Sequence, residues 1–195
     1  MKKDIRLLTK AADQLLLTTT NPRHRQILTN YRRHAMFEVS GRYQEILAPD
    51  MTVEDPEYWL YQGGAALHFK GMKKLEALYA SLVKSNSTVM MLEDEQLWVN
   101  DTGFTSRSNF HIYMPGIFAL QMGADVGQVE DLDAIYIHTS DRVMIWPYAE
   151  DGRMIGESIW VGGGSFRKCP ADEVITMEEC NDLLSPLLDR VPEPA

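Results

Sequence analysis

Apolar residues recur at Ile5, Leu8, Ala12, Leu15 and Leu16, the spacing of one helix face, so residues 4 to 17 are predicted to form an amphipathic helix that Thr18-Thr19-Thr20 ends. Asn21-Pro22 then supplies an N-cap followed by proline at the first helical position. Ile27, Leu28, Tyr31 and Ala35 carry this second helix to about Val39. Gly41 interrupts it, a short helix follows through Tyr43, Ile46 and Leu47, and Ala48-Pro49-Asp50 turns the chain into an extended run from Met51 to Glu54. Residues 57 to 70 are dense in aromatics, contain Gly63 and Gly64, and read as a loop with a short strand. Beyond Gly71, Leu75, Leu78, Tyr79, Leu82 and Val83 restore the buried stripe of a third long helix.

After Ser85-Asn86-Ser87 the pattern changes from helical to alternating. Residues 88 to 100 and 104 to 114 are predicted strands joined by the hairpin signal Asn100-Asp101-Thr102-Gly103. The segment 115 to 132 carries four glycines or prolines and three acids, and reads as a long excursion or lid. Strands over 134 to 148 and 154 to 161 flank Ala149-Glu150-Asp151-Gly152, a second hairpin turn. The strand count is about six. Gly162-Gly163-Gly164 is predicted to release a tail, in which Thr176 and Glu179 form a capping box for a last short helix, and Pro192 and Pro194 suggest a frayed end. Helices followed by a run of antiparallel strands is an α+β pattern, in which a curved sheet wraps around the helices as a cone and encloses a hydrophobic pocket. The whole span 1 to 195 reads as one domain, with residues 1 to 20 as an extra N-terminal helix and 165 to 195 as a C-terminal tail.

Composition narrows the function. With 195 residues, 45% of them hydrophobic and 24% charged, the chain has the balance of a single globular domain. The apolar stretch from Ile5 to Leu17 is broken by Arg6, Lys10 and Asp13, so neither a membrane span nor a secretory core is predicted and a cytoplasmic location is expected. Twenty-eight acids against nineteen Lys and Arg give a net charge of −9, which repels phosphate backbones and anionic lipid, so neither nucleic acid nor a membrane is an expected partner. Cys169 and Cys180 lie in no ligand spacing and read as free thiols. The five histidines show no HxxxH, HxH or HExxH pattern, Gly162 to Gly164 lacks the helix and lysine of a phosphate cradle, and no nucleotide or flavin motif occurs. No metal and no cofactor are expected.

The stretch from Ile27-Leu28-Thr29-Asn30-Tyr31 through Ala48-Pro49-Asp50-Met51-Thr52-Val53-Glu54-Asp55-Pro56 to Gly71-Met72-Lys73-Lys74-Leu75-Glu76-Ala77-Leu78-Tyr79 resembles the SnoaL-like, nuclear transport factor 2-like superfamily, with the ketosteroid isomerases as the nearest named members. That resemblance covers the first half of the chain, and the later hairpins match only in element order. It implies Asp55 as a general base and, 24 residues earlier, Tyr31 as hydrogen-bond donor to a developing enolate. The chemistry of the residue types agrees, because a carboxylate at an apolar pocket mouth has a raised pKa and a tyrosine hydroxyl can stabilise an oxyanion. Against this, Asp55-Pro56 can simply open a turn and Tyr31 can be a core aromatic. The second aspartate of the isomerases is replaced here by Met144 or Ile145, so steroid isomerisation itself is not expected. The superfamily also hosts cyclases, dehydratases, epoxide hydrolases, carbon–carbon lyases and plain binders.

Other candidates come from periodicity. On strand 104 to 114, Thr105, Arg107, Asn109, His111 and Tyr113 share one face, and Ser106, Ser108, Phe110, Ile112 and Met114 the other. The first row either lines a polar pocket wall, with Arg107 anchoring an anion, Asn109 an oxyanion and His111 acting as acid or base, or forms the solvated outer side of the sheet. His34 follows Tyr31 by three residues and precedes Glu38 by four, so the three share a helix face and His34 with Glu38 would make a tuned base if buried. Tyr58, Trp59, Tyr61 and His68 in the aromatic loop, with Tyr113, Tyr136, His138 and Trp146, are candidate contacts for a flat apolar ligand.

Three readings follow. The first is a cofactor-independent lyase or isomerase of a bulky aromatic or polycyclic molecule, working by carboxylate general-base catalysis through elimination, isomerisation or retro-aldol-type cleavage. The second is an epoxide hydrolase, which would need Arg107 and a second acid such as Asp133 or Asp141 in one cavity. The third is a non-catalytic binding or assembly module. The resemblance also implies a homodimer paired through the outer sheet face.

Overall fold

In the computed structural model, residues 1–194 are described. The N-terminal segment is not one helix but two pieces. Asp4 caps a 3-10 turn over Ile5–Leu7 by accepting from the Arg6 N–H, and Thr9 restarts the chain as helix α1, Lys10–Leu16. Ile5, Leu8, Ala12 and Leu16 stay buried through the break. Helix α2 runs Pro22–Val39, with the Asn21 side chain accepting from the Arg23 and His24 N–H groups and Pro22 in the first turn. It is followed by α3, Tyr43–Ile46.

Strand β1 spans Thr52–Gln62 and β2 spans Ala65–Lys70, so the aromatic stretch is a hairpin rather than a loop with a short strand. Alternation did not show it because both faces are apolar there: Tyr58 points inward, while Trp59 and Tyr61 lie outside. Gly71 turns the chain at a positive φ of 87° into helix α4, Met72–Lys84. Strands β3, Met90–Asn100, and β4, Gly103–Pro115, form the expected hairpin. The excursion holds helix α5, Gly116–Gln121, and a 3-10 turn at Val126–Gln128.

Strand β5 is Ile135–Pro147 and β6 is Met154–Lys168. The triple glycine therefore lies inside β6 and releases nothing. Its residues let the strand pass closely over β5, since a Cβ on Gly164 would stand 2.4 Å from His138 Nε2. Helix α6, Met177–Leu184, carries Thr176 as its cap, accepting from the Glu179 N–H. Both cysteines are free and buried.

The sheet order is β2-β1-β6-β5-β4-β3. All neighbours are antiparallel except β1 and β6, which run parallel, a departure from the expected all-antiparallel sheet. The sheet is open and curves around α2 and α4. Asn30 fastens α2 to it, donating 3.0 Å to the Met51 carbonyl and accepting 3.2 Å from the Tyr148 hydroxyl. A second apolar cluster joins Ile5, Leu8, Met36, Tyr113, Ile137 and Cys180, and seats the N-terminal turn and α6. Among the described residues no helix is long and apolar enough to cross a membrane.

Candidate functional site

One face of α2 presents Tyr31, His34 and Glu38 to the concave side of the sheet. Facing them are Arg142, Met144 and Trp146 from β5, Glu157 and Ile159 from β6, Tyr58 from β1, and Tyr79 from α4. The space between is a two-lobed cavity. The larger lobe, about 160 Å³, is walled by Leu78, Leu82, Met114, Phe118 and Met122 among others. The smaller, about 70 Å³, lies against Tyr31, His34, Phe110 and Trp146. Glu38, Met90, Arg142, Glu157 and Ile159 line both lobes and form the waist where they meet. A larger surface groove of about 640 Å³ runs between the N-terminal segment and β3, but it is open to solvent, and its Lys3 and Glu93 already pair with each other.

The waist concentrates charge in an apolar shell. Arg142 lies 4.7 Å above the Phe110 ring and donates 3.1 Å to Ser140 Oγ. Desolvation pulls its pKa down to about 10, against the opposing pull of Glu38 and Glu157. Desolvation also pushes the Glu157 carboxyl well above the usual carboxylate range, with the Glu38 charge adding to the rise and Arg142 opposing it. Neither glutamate is in direct ion-pair contact with the guanidinium among the described residues. All three therefore keep hydrogen-bonding capacity for a ligand between them.

Behind Glu38 lies a cluster of polar side chains. His34 Nε2 lies 3.5 Å from Glu38 Oε2 and 3.1 Å from the Tyr79 hydroxyl, which is 3.3 Å from the Tyr58 hydroxyl. Burial raises the pKa of both tyrosines far above its ordinary value, so they stay neutral donors. On the smaller lobe Tyr31 donates 2.5 Å to Glu95 Oε1. Burial lifts Glu95 to about 7, and the Tyr31 hydrogen bond works against that rise. Several buried polar atoms of this concave face have no partner: His34 Nδ1, Glu95 Oε2, Ser106 Oγ, Ser108 Oγ and Trp146 Nε1.

The structure gathers some sequence candidates and disperses others. Tyr31, His34, Tyr58 and Trp146 meet at the cavity. Asp55 does not. Its side chain is 69% exposed at the foot of β1, 3.8 Å from Lys70 Nζ, and it lines neither lobe. Arg107, Asn109 and His111 lie on the outer face of β4. Arg107 pairs at 3.2 Å with Asp141 and is 61% exposed, Asn109 is exposed, and His111 bridges Glu93 and Thr139, each at 2.9 Å. Neither Arg107 with Asp141 nor the exposed Asp133 reaches the cavity.

Trp59 borders the larger lobe, but its ring stacks at 3.9 Å on His68, which binds Glu57 at 2.7 Å outside. Tyr61 stacks at 4.9 Å on Trp160, also outside. Tyr113 belongs to the second apolar cluster. Tyr136 anchors the excursion, its hydroxyl accepting from the Glu130 and Asp131 N–H groups. His138 is in the inner row beyond the lobes, stacked 4.4 Å from Phe166, and desolvation lowers its pKa to about 4. Of the two residues in the place of the isomerases' second aspartate, Met144 faces the smaller lobe and Ile145 faces out.

The residues that sequence reasoning missed are Arg142, Glu157 and Glu95. Each had a signal. Arg142 follows Tyr136, His138 and Ser140 in one alternating row, and Glu157 alternates with Ile155 and Ile159, an acid in an apolar row. In β3 the inward set shifts from Leu92 to Leu97 and Val99, which requires one extra residue. The register slips between Glu93 and Gln96, Asp94 takes a φ of 53°, and Glu95 turns inward. Among the described residues no cluster of His, Cys, Asp or Glu is placed to hold a metal ion.

No family model matches the chain, and no curated protein matches it in sequence. In structure it is similar to a candidate polyketide cyclase from Xanthomonas campestris pv. campestris, at 14% identity and a TM-score of 0.51, covering 71% of this chain and 91% of that one. It is also similar to an NTF2-like protein from Anabaena variabilis ATCC 29413, at 13% identity and TM-score 0.51, over 76% and 96% of the two chains. A candidate SnoaL-like polyketide cyclase from Jannaschia sp. CCS1 is similar at 12% identity and TM-score 0.50, over 74% and 90%. The chain has the SnoaL-like, nuclear transport factor 2-like fold.

Proposed function

We propose that the protein is an acid–base enzyme of small organic molecules, an isomerase or lyase that needs no cofactor, with Glu38 as base, Glu157 as proton donor and Arg142 holding the developing negative charge. The observation that carries this reading is the waist itself: one buried cation and two carboxyl groups facing a common space, with burial pushing the Glu157 carboxyl well above the usual carboxylate range. The rise of the Glu157 carboxyl sets it apart as the proton donor of the pair, and Glu38 takes the role of base. Glu38 takes a proton from carbon or hydroxyl, the electron pair moves to the oxygen facing Arg142, Glu157 delivers a proton at the other end, and exchange with water after product release removes the proton from Glu38 and restores the one on Glu157. His34 holds Glu38 from behind, with Tyr79 and Tyr58 fixing the imidazole. Asp55, the base implied by resemblance, is too exposed and too far from this space to share in it.

The acid–arginine–acid set favours one second reading, opening of an epoxide by activated water, with Glu38, Arg142 and Glu157 in place of Arg107 and its neighbours. Both readings are tested by product analysis on ketones, β-hydroxy ketones and epoxides with wild type, Glu38→Gln, Glu157→Gln and Asp55→Asn. Conversion that survives in Asp55→Asn and is lost in the other two supports the site, and the compound class converted selects the reaction.

For assembly we propose a homodimer through the outer sheet face. There Ile145, Ser158, Trp59 and His68 align across neighbouring strands, and Trp160 beside them is 40% exposed and stacked on Tyr61.

A further inference from the structure

Resting on the reading above and deepening it, we infer that the ligand is a small uncharged molecule, a single ring or its equivalent in the larger lobe with an oxygen function at the waist, and neither a polycycle nor an organic acid. Two independent observations carry this, one of size and one of charge.

The larger lobe measures about 160 Å³, close to the about 150 Å³ of an apolar cavity that takes up one benzene. Most of its wall is apolar, from Leu78, Leu82, Met114, Phe118 and Met122, with Gln62 and Ser87 as polar groups away from the waist. The smaller lobe, about 70 Å³, is bounded by the Tyr31 and Trp146 rings and has room for a water or two, or a fragment of two or three heavy atoms. A fused-ring molecule that reached from the larger lobe into the smaller would have to pass the waist and displace Tyr31 or Trp146, both buried and packed edge to face with centroids 5.4 Å apart.

The charge balance at the waist is already complete. Arg142 is the one cation among the groups that line it. From α2 come His34 and Glu38, from β6 Glu157, from β1 and α4 the neutral Tyr58 and Tyr79, and from β5 His138, further along the row beside Ser140. Two carboxyl groups already face the single guanidinium, and a ligand carboxylate would add a third acid with no second cation opposite it in a desolvated space. A carbonyl, hydroxyl or epoxide oxygen instead accepts from the Arg142 guanidinium, whose one side-chain hydrogen bond among the described residues goes to Ser140.

Calorimetric titration of the full chain with p-cresol, p-toluate and 2-naphthol tests this without any turnover. Wild type is expected to bind p-cresol, and to bind p-toluate and 2-naphthol weaker by on the order of 100-fold or more, the scale set by an unpaired buried charge. Glu38→Gln removes the carboxyl group that His34 backs opposite Arg142 and should shift the preference towards p-toluate, whereas Glu157→Gln, which keeps Glu38 in place, should keep the preference for p-cresol. Equal binding of p-cresol with either other probe by wild type, no binding of p-cresol at all, or an unchanged preference in Glu38→Gln would overturn the inference. If the binding pattern holds while no compound is ever converted, the catalytic reading fails and the ligand class stands.

Discussion

The Tyr31 hydroxyl donates a 2.5 Å hydrogen bond to Glu95 Oε1, joining helix α2 to the bulge of β3 at the edge of the smaller lobe. Burial holds this carboxyl at about 7 against an ordinary 4.5. An acid whose folded pKa is raised binds its proton more tightly in the folded protein, so its contribution to stability is fully present below pH 4.5 and is lost as pH rises through 7. Glu157 shifts in the same direction and adds to the slope. Glu95→Gln isolates the first group. Thermal melts between pH 4.5 and 8 should show the variant losing less stability than wild type, by about 3 kcal/mol across the range. Parallel curves for the two proteins would refute the assignment.

Tyr31→Phe removes the one hydrogen bond that opposes the rise of Glu95 and leaves both carboxylate oxygens of a buried acid without a partner. The expected result is a loss of about 1–3 kcal/mol at pH 8 and a smaller loss at pH 5, where the carboxyl is protonated. Denaturant unfolding at the two pH values measures both.

Gly164→Ala would place a methyl group 2.4 Å from His138 Nε2 and 2.7 Å from the Thr139 carbonyl oxygen. Because the second of these atoms is backbone, β5 and β6 must separate, and a loss of about 1–3 kcal/mol is expected. Gly163→Ala, with no atom within 4 Å of the new Cβ, is the control and should lie close to wild type.

If the outer face joins two copies, wild type sediments as a dimer and Trp160→Glu or Ile145→Glu as a monomer, with the fold retained by circular dichroism. Those side chains are 40% and 44% exposed in one chain, so a charge there is tolerated by the monomer and not by a covered face. A dimer that survives both substitutions places the contact elsewhere.

The fold was legible wherever one face of an element is apolar and the other polar. Helices α2 and α4 and the β3–β4 hairpin follow the periodicity closely. It failed where both faces are apolar, as in β1, or where glycine hides alternation, as in Gly162 to Gly164. For the site, period two sorts residues into rows but does not say which row faces in. In β5 one buried row holds His138, Ser140 and Arg142, while Ile137 on the opposite face is buried in the second apolar cluster, so polarity does not separate the two faces. The alternating row from Tyr136 to Arg142 is visible in the sequence, but period two alone does not assign it to the cavity side. The Tyr31, His34 and Glu38 face was readable because one helix carries it. Its partners Arg142 and Glu157 come from strands more than 100 residues away.

The central claim is that Glu38, with Arg142 opposite it, abstracts protons inside this cavity. Hydrogen–deuterium exchange at the α-carbon of cyclohexanone in D₂O, followed by NMR, tests it without knowledge of the natural substrate. Wild type and Asp55→Asn should accelerate exchange equally over buffer, and Glu38→Gln should return it to the buffer rate. Exchange at the buffer rate in wild type, or exchange lost in Asp55→Asn and intact in Glu38→Gln, would contradict the account.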